Sequence, residues 1–154
     1  MCRRGAALDA EAVRGSFGEL SEHLAARGVR AQVFVVGGAA MALAYEARRL
    51  TRDVDALIVP APGPDEHPAT VLESESLLVQ VASPEYLVAM KLHASRDTRD
   101  VEDASRLFGR LGCTSAEQGL DLLARTYPVS CLLPRHRYVV QDVAERAAAR
   151  RRQA

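Results

Sequence analysis

Residues 33–59, VFVVGGAAMALAYEARRLTRDVDALIV, constrain the fold more than any other stretch of the chain. The segment opens on an apolar run of the kind that fills a buried strand and breaks at Gly37-Gly38. It continues through a short helical pattern and reaches Asp53-Val54-Asp55 before turning apolar again. Side chains alternate across a strand, so Asp53 and Asp55 are expected on one face, with Val54 turned away. Two carboxylates held that close repel each other and resist burial, an unfavourable choice for mere scaffolding. A hard divalent cation offsets the repulsion, and Mg2+ is commonly held by one or two carboxylates together with substrate phosphates. The plain alternative is a solvent-facing loop end ahead of a strand.

The run Ala31 to Val36 is short enough for a central strand. Gly37 and Gly38 let the backbone turn tightly, and a helix from Ala39 to Tyr45 then begins with amides that lack intrahelical acceptors. Such a terminus draws phosphate through its N–H groups and its dipole. A tight strand-to-helix bend needs the same glycines and no ligand. Neither G-x-x-x-x-G-K-[ST] nor G-x-G-x-x-G occurs, which argues against a P-loop ATPase and a Rossmann dehydrogenase. Arg48, Arg49 and Arg52 precede Asp53, where they either neutralise the acids in a solvated loop or reach phosphate. Thr51 is expected to shape the turn by hydrogen bonding.

The order Gly37-Gly38, short helix, Arg49-x-Thr51-x-Asp53-Val54-Asp55 resembles the core of the nucleotidyltransferase superfamily, in particular its minimal bacterial branch of AbiEii/MenT-type toxins. A second block carries the resemblance in the same order: Ser83-Pro84-Glu85-Tyr86-Leu87-x-x-Met90-Lys91-Leu92-x-Ala94-x-Arg96, then Arg99-Asp100-x-x-Asp103. The resemblance implies an α+β chain with the minimal nucleotidyltransferase fold, a mixed β-sheet flanked by helices, as a single domain over residues 1–154. It implies that Gly37, Gly38 and Arg49 meet a triphosphate and that Asp53 and Asp55 are catalytic metal ligands. Lys91 would meet the triphosphate or activate a hydroxyl, and Asp103 would be a carboxylate near that lysine, orienting it or acting as base. The chain departs from the family pattern in three ways. Gly-Gly offers no serine hydroxyl to the phosphate, the span from Asp55 to Ser83 is only 28 residues, and Leu77 to Val81 supplies no third carboxylate. Glu73 and Glu75 are near in sequence but belong to a turn.

A chain of 154 residues with 48% apolar content suits one soluble core. Its formal net charge of zero gives no global field that favours nucleic acid. The basic residues are nineteen arginines and one lysine, Lys91, and an ammonium and a guanidinium fork do different work. Cys2, Cys113 and Cys131 form no C-x-x-C pair, which argues against disulfide scaffolding and a zinc finger. No long apolar segment suggests a signal peptide or a membrane span, so the cytoplasm is expected.

Elsewhere the pattern is helical punctuation around one hairpin. Residues 1–8 read as a lead-in and Asp9 as a cap; Val13, Phe17, Leu20 and Leu24 form an apolar stripe, with His23 off it, on a helix stopping near Gly28. Pro60 to Pro68 reads as a loop, and Ala69–Leu72 with Leu77–Ala82 as strands around Glu73–Ser76. Ser83-Pro84 opens a helix in which Lys91 defaults to a surface position, so that Lys91→Ala should leave folding nearly intact. A helix from Thr98 buries Val101, Ala104, Leu107 or Phe108, and Leu111, with Asp100 and Asp103 able to pair with nearby arginines. Thr114 with Glu117, or Ser115 with Gln118, makes a capping box. A last helix from about Pro134 buries Val139, Val140 and Val143 and ends in Arg146, Arg150, Arg151 and Arg152.

The function implied by resemblance is metal-dependent transfer of a nucleotide from a nucleoside triphosphate, with Mg2+, to an acceptor hydroxyl. That acceptor is expected at the 3' end of tRNA, and the setting is a toxin neutralised by a protein antitoxin. The alternative is a non-catalytic nucleotide-binding or antitoxin-like protein that acts through a protein partner, motivated by the short middle segment and the missing strand carboxylate. Aminoglycoside modification is a third reading, but the chain's scattered acids offer a polycationic drug no second acidic surface.

Overall fold

The computed structural model describes residues 7–45, 49–58, 65–95 and 98–153. The expectations placed on residues 1–6, Cys2 among them, on Arg48, on residues 59–64 of the proline-rich loop and on Arg96 lie outside the described residues. Within them the chain is α+β, with six α-helices and a four-stranded mixed sheet. It divides into two compact units, Met1–Ser83 and Pro84–Ala154.

The first unit opens with α1, Ala10–Ala26, whose first turn is capped by the Asp9 carboxylate accepting the Ala12 N–H at 2.8 Å. Val13 and Phe17 are buried, whereas Leu24 is half-buried and Leu20 is 38% exposed. The apolar stripe therefore works over the first half of the helix only, and His23 is exposed as expected. Strand β1, Ala31–Val35, takes a central place in the sheet, as its short, mostly apolar run suggests. It pairs antiparallel with β2, Ala56–Ile58, and parallel with β4, Leu77–Val81. Strand β3, Ala69–Glu73, closes a hairpin onto β4, giving the order β2-β1-β4-β3. The Ser74 hydroxyl shapes that hairpin turn by accepting the N–H groups of Ser76 and Leu77 at 3.2 and 2.9 Å.

After β1 the chain turns at Gly37 into α2, Gly37–Ala40, which runs on as a π-helical turn over Met41–Tyr45. Ala39 to Leu43 are all buried, and α1 packs against this turn and against β4. Two side chains fix the widened turn. Arg14 donates to the Leu43 carbonyl at 2.9 Å, and the Tyr45 hydroxyl donates to the Ala82 carbonyl at 2.7 Å.

The second unit consists of α3, Pro84–Ala94, α4, Thr98–Arg110, α5, Ala116–Thr126, and α6, Arg135–Gln153, with a 3-10 turn at Val129–Cys131. Pro84 opens α3, where a missing N–H does no harm. Ser115 and Gln118 form the capping box of α5, which settles the choice between the two overlapping sequence signals. Leu87, Leu92, Leu107, Phe108, Leu123, Val140 and Val143 are each at most 1% exposed. Burying a side chain of this kind contributes roughly 1.5–3 kcal/mol. Leu111 and Val139, at the edges of the expected stripes, are half-buried.

Candidate functional site

The register of β1 and β2 builds the first cluster. Val35 lies opposite Ala56, and the ladder runs one step further, with the Val36 N–H donating to the Asp55 carbonyl at 2.9 Å. The Gly-Gly turn is thereby brought beside Asp55. Gly37 has a φ of +65°, in the left-handed region that favours glycine, and a Cβ at this residue would stand 2.9 Å from Asp55 Oδ2. A Cβ at Gly38 would stand 2.8 Å from Thr51 Oγ1. Gly37 is thus required by its backbone angle, and Gly38 by the close approach of the buried Thr51 side chain.

Thr51 ties the cluster together. It is 4% exposed, its hydroxyl donates to the Asp53 carbonyl at 2.9 Å, and its backbone exchanges two hydrogen bonds with Leu8 at 2.7 and 2.8 Å. The expectation that it shapes the turn is met in this geometry. Asp53 and Asp55 themselves precede β2 rather than lying within it, and both are exposed. The early end of the strand follows from the two charges, which keep access to water that a buried ladder would deny. Arg49 is half-buried at the start of the same segment. Asp65, which no spacing singled out, accepts the Ser83 N–H and hydroxyl at 2.6 and 2.8 Å and so anchors the chain after β4.

Chemically the first cluster offers two exposed carboxylates, all-oxygen donors, beside the start of a helix. Such a set fits a hard, partly hydrated cation. The glycine at 37 leaves room for the Asp55 carboxylate that any side chain would take. Among the described residues no group of three or more His, Cys, Asp or Glu is placed to hold a metal ion.

The second cluster lies within the helical unit. Lys91 of α3 is 9% exposed, and its ammonium meets Asp103 Oδ2 at 2.8 Å and Asp100 Oδ1 at 3.2 Å. The three-residue spacing of the two acids on α4 brings both to one amine. Asp103 is the closer of the two acids to the lysine, and the pairing satisfies both buried charges. The surface placement of Lys91 is corrected: its side chain is 10% exposed and that of Asp103 is 1% exposed. A helical lysine reads as a surface residue from sequence alone, and only the partner helix reveals the buried carboxylate that draws it inward.

A third group escaped sequence reasoning altogether. His93 of α3 stacks on Tyr127 with ring centroids 4.1 Å apart and lies 4.9 Å from the ring of buried His136. The two histidines are 43 residues apart and share no motif.

Compared with models of protein families, with curated proteins and with solved structures, the chain matches none at a significant level. Among the described residues no helix is long and apolar enough to cross a membrane.

Proposed function

We propose that the chain is a nucleotidyltransferase of the minimal type, acting in the cytoplasm as a toxin that transfers a nucleotide to the 3' end of tRNA and is restrained by a protein antitoxin. The observation that supports this reading most is the contact chain of Gly37 on Asp55, Gly38 on Thr51 and Thr51 on Asp53. It brings the Gly37-Gly38 turn and the two acids together from residues up to 18 positions apart.

In this reading the opening amides of α2 bind the triphosphate of the donor, because the first N–H groups of a helix have no intrahelical acceptor. Asp53 and Asp55 would hold Mg2+ through their carboxylate oxygens. When bound, the ion supplies charge neutralisation at the phosphates and at the departing pyrophosphate. Thr51 keeps the Asp53 backbone in place, so the carboxylate is oriented before substrate arrives. The acceptor hydroxyl oxygen forms a bond to the α-phosphorus while the bond to pyrophosphate breaks, and the hydroxyl proton passes to water. The resemblance gives Lys91 a share in phosphate binding or hydroxyl activation, with Asp103 orienting it.

A second reading, nucleotide binding without turnover, is favoured by the absence of a third grouped carboxylate among the described residues. Calorimetry with nucleoside triphosphate and Mg2+, followed by a pyrophosphate-release assay with RNA present, separates the two. Release that disappears in Asp55→Asn supports transfer, whereas tight binding with no release supports the second reading.

A further inference from the structure

His136 sits at the start of α6 and is 2% exposed. Its Nδ1 accepts the Leu133 N–H at 2.9 Å, so in the neutral ring the proton is on Nε2, which faces the His93 carbonyl at 3.2 Å. His93 Nε2 in turn lies 3.3 Å from the Cys131 carbonyl, an acceptor, and therefore donates to it. Two imidazoles thus fasten the segment 128–134 from α3 and α6. Besides these, the His136 and Arg137 N–H groups donate to the Leu133 and Pro134 carbonyls at 3.0 and 3.2 Å, while the side chains add little, Val129 being 79% exposed and Leu133 51%. A segment with so few buried contacts opens at lower free energy than the helices around it. Its residues Val129, Leu132 and Leu133 form one wall of an apolar cavity of about 650 Å³, with Leu120 and Leu123 of α5 opposite.

We propose that His136 is a proton-operated latch on residues 128–134. A proton taken from solvent by Nδ1 turns the only acceptor available to the Leu133 N–H from this ring into a second donor. The two N–H groups then oppose each other, the hydrogen bond is lost, and the segment swings off the cavity. The inference stands on local geometry and is independent of the proposed transferase activity.

The charges around the ring are of both signs, and burial favours its neutral form. His93 faces it from α3, Tyr127 covers His93 from the end of α5, Arg135 and Arg137 flank it on α6, and Asp121 of α5 lines the same cavity. Burial is the main cause that holds the His136 imidazole below its ordinary value of 6.5, with His93 and Arg135 adding to it and the hydrogen bond to the His93 carbonyl opposing. A histidine depressed in the closed state stabilises that state fully above the ordinary value. The contribution falls away as the pH drops below it.

Amide exchange of the full chain, followed by NMR and corrected for intrinsic rates, tests the latch. Below pH 6.5 the protection of the Leu133 amide should fall about tenfold per pH unit, the slope of a single proton taken up on opening. The amides of Leu87 and Leu107 should keep their protection over the same range. His136→Asn retains an acceptor near the Nδ1 position and does not titrate, so its Leu133 protection should be flat; His93→Gln, which retains a donor near Nε2, should keep the slope. The same slope in His136→Asn, its disappearance in His93→Gln, or parallel loss of protection in the helices would overturn the proposal. Should His136→Asn not fold, the ring nitrogen shifts of His136 in the natural chain decide, and an Nδ1–H tautomer at neutral pH would overturn it as well.

Discussion

Replacing Gly37 by alanine separates the backbone demand of the strand-to-helix turn from the space demand of the site. The φ of +65° places an L side chain in the left-handed region, at roughly 1–2 kcal/mol. The new Cβ also starts 2.9 Å from Asp55 Oδ2, but that carboxylate is exposed and can rotate away, so the contact adds little to the loss of stability. Gly37→Ala should therefore unfold at a temperature lower by roughly 2–8 °C for a chain of this size. The displaced Asp55 should weaken Mg2+-dependent nucleotide binding far more than the folding loss explains. In a double-mutant cycle, Asp55→Ala should leave the stability loss of Gly37→Ala unchanged, because φ strain does not depend on the carboxylate, while removing any further effect on binding. Thermal unfolding followed by circular dichroism, with calorimetry for binding, reads both. Gly37→Ala as stable as the natural chain, or a stability loss rescued by Asp55→Ala, would refute this reasoning.

Further predictions concern the helical unit. Lys91→Met removes one charged partner of a carboxylate that is 1% exposed, and should destabilise by roughly 1–3 kcal/mol in urea titration; Lys91→Met with Asp103→Leu should recover part of that loss. Gly119→Ala should destabilise by roughly 1–3 kcal/mol, because its Cβ would meet Val140 Cγ1 at 2.7 Å and Phe108 at 3.2 Å inside the packing of α5. Burial, with Glu85 adding to it, raises the Cys113 thiol above its ordinary value, so thiolate is scarce near neutral pH. Alkylation of Cys113 at pH 8 should lag behind that of a free thiol and accelerate as the pH rises.

The local grammar of the chain was legible in its residues. Asp9 and the Ser115/Gln118 pair mark helix starts through hydrogen bonds made within a few residues, Pro84 marks one through the N–H it lacks, and the β3–β4 hairpin is equally local. Gly37-Gly38 and Asp53-x-Asp55 could be picked out separately, and one antiparallel register brings them together. What stayed hidden depends on contacts distant in sequence. The burial of Lys91 requires Asp103 on the next helix, and Asp65 gains meaning only from Ser83, 18 residues on. The exposure of Leu20 shows the same limit, since periodicity gives a face to a helix but not how far its partner extends along it.

The central claim is that Asp53 and Asp55, beside the Gly37-Gly38 turn, support nucleotide transfer. Its most direct test is transfer of label from each α-labelled nucleoside triphosphate to purified tRNA in the presence of Mg2+. The account predicts label at the tRNA 3' end from at least one triphosphate, lost on chelation of the metal and in both Asp53→Asn and Asp55→Asn folded to natural stability. Absence of label with all four triphosphates, or label unchanged in those two variants, would contradict it.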